Sequence, residues 1–349
     1  MTFQQNSEFF DYKLPENLIA HNPPVKRTDS KLLVFNSNIT DTKFASVLDF
    51  LPEKSVFIFN DSKVVPARIL FNLNGREVEI FYLKSLDFST FECLVRPGKA
   101  FKSGLTFKIS NYNFTVIDIT PSGHRIIKCQ TLDFNIFDFL DKYGSVPLPP
   151  YVDASDPEVF KDRYQTVFAK NEGSLAAPTA SLHFDDELMA LIKKFYKHEF
   201  VTLHVSLGTF APVKSTIDEH IMHEEFYNIS NDTVDRLNKY IENDYTLVSV
   251  GTTALRVLQS IYNVKCSRFE YQKYDSTEIF IKPPFNNFCV DALITNFHLP
   301  KSTLLLLVDA FIGSSNVERI YNHAISKSYR FFSFGDASLL FRPKVKSGK

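Results

Sequence analysis

The sequence predicts an α/β protein: a mixed-sheet α/β main domain interrupted by an inserted small antiparallel β-barrel domain. Three observations predict it. Strands and helices of ordinary length alternate in the two flanks of the chain. Between about 64 and 130 the chain instead reads almost wholly as short strands parted by turn residues. A rigid stretch, Pro147-Leu148-Pro149-Pro150-Tyr151, then marks where the first pattern resumes. The expected division is 1–60 with 148–349 as the discontinuous α/β domain, and 61–147 as the barrel. The length of 349 residues suits two or three domains, and 44% hydrophobic with 23% charged residues is a globular composition.

In chain order, 31–35 and 56–59 are apolar runs that read as buried strands. The runs 68–73 and 76–83 flank Asn74-Gly75, the strongest short hairpin signal. Further runs at 91–95, 105–109, 114–119 and 125–129 are punctuated by Pro97-Gly98, Ser103-Gly104, Asn111 and Ser122-Gly123. After Asp185, a predicted N-cap, Leu188, Leu191, Ile192 and Phe195 recur at helical spacing. A strand follows at 200–205, a helix on Val234, Leu237 and Ile241, and a strand at 246–250. Helical patterns return at 254–261, 302–311 and 317–326, with Pro300 expected in the first turn of the second of these.

Composition excludes several classes. With 39 basic and 40 acidic residues, the chain is not one that binds polyanions by bulk charge. Within it, 63–108 carries eight basic against four acidic residues, so the barrel offers a local basic face, with Arg96, Lys99 and Lys102 expected to meet RNA. Cys93, Cys129, Cys266 and Cys289 are far apart in sequence, which gives no zinc or redox pair and suits a reducing cytosol. Residues 1–10 lack a basic stretch followed by an apolar core, and the longest aliphatic run, 304–308, is too short for a membrane span. A soluble cytoplasmic protein is expected.

Several stretches can carry chemistry. His183 ends the small-residue run Ala176-Ala177-Pro178-Thr179-Ala180-Ser181-Leu182, where backbone can approach a ligand; a packed, satisfied core histidine is the competing reading. His204 follows Thr202 on one strand face, at the strand end where α/β sites form, or is a hydrogen-bonded core residue. His220 and His223 would share a face on a helix, but no third metal ligand has convincing spacing. Val248-Ser249-Val250-Gly251-Thr252-Thr253 joins a strand to a helix and either receives an anion or simply caps the helix. Asp291, Thr295, Asn296 and His298 cluster about one apolar strand, and Tyr329 to Asp336 adds aromatic faces beside Arg330.

At these residues the chain resembles the S-adenosylmethionine:tRNA ribosyltransferase-isomerase family of queuosine biosynthesis. Nine blocks match in order. They include Asn60-Asp61-Ser62-Lys63-Val64-Val65-Pro66-Ala67-Arg68, Pro147 to Tyr151, Ala176 to Phe184, Thr202 to Val213, Val250 to Arg256, Asp291 to Leu306 and Tyr329 to Leu340. The resemblance implies transfer and isomerisation of the donor's ribosyl group onto a 7-aminomethyl-7-deazaguanine at the tRNA wobble position. Epoxyqueuosine forms, and adenine and methionine leave. It implies no metal or redox cofactor, S-adenosylmethionine being a consumed co-substrate, and a cytoplasmic monomer with no membrane and no obligate protein partner.

That chemistry needs proton acceptors near neutrality. The candidates are His183, His204, His298, Asp291 and Asp336. Substrate binding is expected from Thr179, Thr209, Gly251, Thr252, Thr253, Arg256, Thr295, Asn296 and Arg330, with Thr252, Thr253 and Arg256 on the methionine carboxylate. The chain departs from the family pattern at Ser181 and Ser206, where glycine is usual, at Arg27-Thr28-Asp29-Ser30 and at Ser338. The alternative reading is a divergent, non-catalytic RNA-binding paralogue of the same fold.

Overall fold

The structure, a computed structural model, describes residues 11–149, 151–152, 157–206, 217, 220–272 and 275–343. A nine-stranded mixed sheet organises the α/β part. From edge to edge its strands are Asp275–Thr277, Glu225–Asn228, Lys197–Leu203, Ser55–Asn60, Thr246–Val250, Ala292–Asn296, Ala337–Phe341, Lys31–Asn36 and Asn38–Lys43. The four strands from Lys197–Leu203 to Ala292–Asn296 are parallel, and Ala337–Phe341 runs antiparallel to the last of them.

Both faces of this sheet are covered, which is why Ser55–Asn60 is buried at all six positions. Alternate residues feed two cores. Leu32, Val34, Phe57 and Phe59 face the helix Asp186–Phe195 and the turn Phe44–Phe50. Leu33, Phe35, Val56 and Ile58 join the core built on helices Asn231–Glu242, Thr252–Ser260, Thr303–Ile312 and Ser314–Ser326. Caps fix the helix starts: Asp185 accepts from the Leu188 N–H at 2.9 Å and Ser302 from the Leu305 N–H at 3.2 Å. Pro300 therefore lies ahead of its helix and not in the first turn, because Ser302 takes the cap and the helix starts at Thr303.

The second sheet is antiparallel, in the order Arg68–Leu73, Arg76–Ser85, Thr90–Arg96, Arg125–Cys129, Tyr112–Ile119, Thr106–Ile109. It curls into a nearly closed barrel. Its two edge strands meet through side chains, with the Phe71 and Phe107 rings stacked 5.6 Å apart. Asn74 and Gly75 both have positive φ, 53° and 81°, as a tight two-residue hairpin demands. A helix absent from the sequence reading, Ile136–Tyr143, plugs the barrel, with Phe139 5.1 Å from Phe114. The chain enters and leaves side by side, because Arg68 and Ser145 exchange backbone hydrogen bonds of 3.1 and 2.8 Å. A Cβ at Gly144 would overlap the Pro66 carbonyl, so only glycine fits that crossing.

Candidate active site

A cavity of about 790 Å³ opens between the barrel and the C-terminal edge of the main sheet, within the range of small-molecule sites. Asn296 and His298 reach it from the end of strand Ala292–Asn296, and Thr179 from the small-residue turn Thr179–His183. Tyr151, Phe332 and Ser333 form one side, and Arg68, Glu79 and Arg96 come from the barrel.

The loop carrying Phe332 is held from several directions. Phe332 has φ +75°, a conformation that an aromatic L-residue adopts only under constraint. Its carbonyl accepts from the Asn296 amide at 3.0 Å and from the Gly335 N–H at 2.9 Å. The buried Asp336 carboxylate accepts from the backbone N–H groups of Lys31 and Arg330 at 2.8 and 2.7 Å. The result sets the Phe332 ring 4.4 Å from that of Tyr151, whose hydroxyl meets Ser333 Oγ at 2.5 Å.

His298 is the imidazole of the cavity. Its Nε2 shares a hydrogen with the Thr295 hydroxyl at 2.9 Å, its N–H donates to the Tyr321 hydroxyl at 3.1 Å, and its carbonyl accepts from the Tyr12 hydroxyl. Burial pushes its pKa down to about 3. His183 is also pushed down to about 3, by burial first and then by the Arg330 and Arg27 charges, with the Asn296 side chain opposing. It pairs with Ser30 Oγ at 2.9 Å, stacks on Phe44 and borders a separate void of about 10 Å³ beside Arg27 and Arg163.

These two rings predict an acid-sensitive fold. Folded, both stay neutral down to about pH 3; unfolded, they protonate near pH 6.5. The unfolded chain thus binds more protons between those values, so stability is complete above pH 6.5 and falls as pH drops toward 3. Urea unfolding at pH 7.5 and pH 5 should differ by about 2 kcal/mol per histidine, and His298→Gln should remove one share. A pH-independent midpoint would mean that the rings carry protons in the folded state.

A family model described as "Queuosine biosynthesis protein" matches residues 7–340. The chain belongs to that family. It is 42% identical over 340 residues to the S-adenosylmethionine:tRNA ribosyltransferase-isomerase of Clostridioides difficile (strain 630), covering 95% of this chain and 98% of that one. The enzyme of the same name from Finegoldia magna (strain ATCC 29328 / DSM 20472 / WAL 2508) is also 42% identical, over 96% of this chain and 98% of its own. The crystal structure of S-adenosylmethionine tRNA ribosyltransferase from Thermotoga maritima is 32% identical, with a TM-score of 0.53 over 95% of this chain and all of that one.

In this queuosine biosynthesis protein, Thr179, Asn296 and His298 meet at the cavity, with Thr295 directly behind His298. The other candidates lie elsewhere. His204 packs its ring against Gly173, where a Cβ would come within 3.1 Å, and beside Asp61; burial lowers its pKa and the Asp61 charge opposes. Gly251, Thr252, Thr253 and Arg256 form the start of helix Thr252–Ser260 without lining the cavity. Thr253 accepts from the Asn60 amide at 3.3 Å, and Arg256 pairs with Glu225. Asp291 stands at the opposite end of its strand, where it bonds the Leu247 N–H at 2.9 Å. Asp336 and Arg330 buttress the Phe332 loop from behind, and Thr209 lies outside the described residues.

His220 and His223 sit on no helix, and among the described residues no group of three His, Cys, Asp or Glu side chains could hold a metal. Ser181 and Ser206 both have ordinary φ, so neither serine strains the backbone where relatives were expected to carry glycine. Among the described residues no helix is long and apolar enough to cross a membrane. Sequence reasoning did not single out Arg68, Glu79, Arg96 or Tyr151 as pocket residues, and it offered Phe332 only within the aromatic stretch Tyr329 to Asp336. The signal available was that Arg68 and Tyr151 close two of the matching blocks.

Proposed function

We propose that the protein transfers and isomerises the ribosyl group of S-adenosylmethionine onto the 7-aminomethyl-7-deazaguanine at the tRNA wobble position. The observation that carries this is the 42% identity over nearly the whole length of chains named for that activity. The cavity supports it. A cleft closed by two sheets gives a consumed donor and an extruded base one meeting place. The Tyr151 and Phe332 rings offer flat apolar faces for a purine or deazapurine.

The donor's sulfonium acidifies its C5′–H. That proton must be taken up as adenine departs and the aminomethyl nitrogen forms its new bond to carbon; methionine leaves as the thioether. We assign the acceptance and return of protons in the cavity to His298, which Thr295 orients. Burial keeps the ring in its neutral, accepting form but makes it a weak base, so proton uptake at His298 has to be concerted with proton delivery to the departing adenine. The reading carries with it a cytoplasmic monomer that acts on tRNA, with no resident metal or cofactor and no obligate protein partner.

The test is incubation with S-adenosylmethionine and tRNA bearing the aminomethyl-deazaguanine, followed by mass analysis of the digested tRNA. The expected result is epoxyqueuosine, with adenine and methionine released in equal amounts. An unmodified base under conditions where a known family enzyme converts it would overturn the reading. Tight tRNA binding without adenine release would instead favour the non-catalytic paralogue.

A further inference from the structure

The cavity has two chemically different walls. On the α/β side the polar lining groups are hydroxyls, the Asn296 amide and the neutral His298 ring. Among the described residues, the formally charged side chains lining it, Arg68, Glu79 and Arg96, all come from the barrel. Their placement follows from strand register. Glu79 lies directly opposite Arg96 across two paired strands, and Arg68 lies opposite Phe81, two residues further along the Glu79 strand. Side chains two apart share a face, so the three charges surround the apolar patch of Phe81 and Leu94 on the barrel's outer surface.

Local pairing leaves this trio incomplete. Arg68 Nε approaches Glu79 at 3.7 Å but is buried without a hydrogen-bond partner. Among the described residues Arg96 has no ion pair at all, whereas Arg125 on the adjacent strand is committed to three backbone carbonyls. Two guanidinium groups and one carboxylate at the rim of an apolar-floored cavity complement a zwitterion. Arg256, the residue that sequence reasoning put on the donor's carboxylate, is instead committed to Glu225.

We propose that Arg68, Glu79 and Arg96 form the site for the zwitterionic α-amino-acid end of the sulfonium donor. The carboxylate sits between the two guanidinium groups, and the ammonium sits on Glu79. This rests on the donor being S-adenosylmethionine, as proposed above. The barrel then carries part of the donor site and does more than dock RNA, and Arg96 faces the donor where sequence reasoning gave it to RNA. Lys99 and Lys102, exposed on the same edge of the barrel, remain for the RNA backbone.

Decarboxylated S-adenosylmethionine, which keeps the ammonium and lacks the carboxylate, separates these roles. Dissociation constants of both compounds are measured by calorimetry, alongside turnover with the tRNA substrate. The wild-type protein should favour the carboxylated donor by about tenfold or more. Arg96→Gln and Arg68→Gln should each bring that ratio toward one with the melting temperature and the KM for tRNA unchanged. Glu79→Gln should weaken both compounds alike and keep the ratio. Arg76→Gln, exposed at the far end of the strand that carries Glu79, should change neither. Wild-type turnover with a ratio that survives both arginine variants overturns this assignment alone, as does a loss confined to the KM for tRNA. No consumption of S-adenosylmethionine by the wild type overturns the donor reading itself.

Discussion

Replacing Arg256 by alanine is expected to destabilise the protein by about 3–5 kcal/mol, the usual consequence of stripping one partner from a buried ion pair. Both members are almost fully enclosed: side-chain exposure is 3% for Arg256 and 1% for Glu225. Burial pushes the Arg256 pKa down to about 10, so the guanidinium is still charged near neutrality. The alanine variant would leave the Glu225 carboxylate inside the protein without the Arg256 counter-charge. The same carboxylate accepts from the Ser206 N–H at 3.1 Å, and Ser206 lines the cavity. Damage should therefore reach catalysis as well as stability. Urea unfolding checks the first effect, and kcat/KM for both substrates checks the second. Arg256→Lys keeps a charge and should recover part of the stability. A loss below about 1 kcal/mol in the alanine variant would show that Glu225 is satisfied without the guanidinium.

How much of this could be read from the sequence depended on the range of the interaction that fixes each feature. Strand Thr246–Val250 was legible to the residue because a strand buried on both faces is largely apolar, here Leu247, Val248 and Val250. The hairpin at Asn74-Gly75 was legible because two consecutive positive φ angles select those residues locally. Helix Ile136–Tyr143 was missed although Asn135 caps it and Ile136, Phe139 and Leu140 make one apolar face; at eight residues, following six strands, its period is short. His220 and His223 suggested a shared face only on the assumption of a helix, which the chain does not form there. The barrel wall was the least legible part. The charged residues Glu77 and Glu79, on one face of Arg76–Ser85, look like an ordinary solvent face, and only the packing of the barrel against the main sheet turns that face into a cavity wall. His298 was found because a short block holds it, Thr295 and Asn296 together on one strand end.

Asp336→Ala is expected to cost about 2–3 kcal/mol, because two partly buried backbone N–H groups lose a charged acceptor. The larger effect should be on activity. Phe332 occupies a left-handed backbone conformation whose cost, about 1–3 kcal/mol, must be met by its surroundings. Asp336 ties that loop at both ends by holding the Arg330 N–H and, on the neighbouring strand, the Lys31 N–H. Freed from this tie, the loop can relax to negative φ and carry the Phe332 ring away from Tyr151. A displacement on the order of 1 Å in a positioning group can cost about 10²-fold in rate. The expected outcome is a fall in kcat of that order for Asp336→Ala and a smaller one for Asp336→Asn, which keeps one acceptor oxygen. Gly335→Ala should reproduce the alanine phenotype through a different atom, since its Cβ would lie 2.6 Å from the Arg330 carbonyl oxygen. If Asp336→Ala unfolds more easily yet turns over at the wild-type rate, the aspartate holds the fold without setting the aromatic wall. If Asp336→Asn is as inactive as Asp336→Ala while Gly335→Ala is active, the carboxylate's charge, and not the loop it holds, is what the reaction needs.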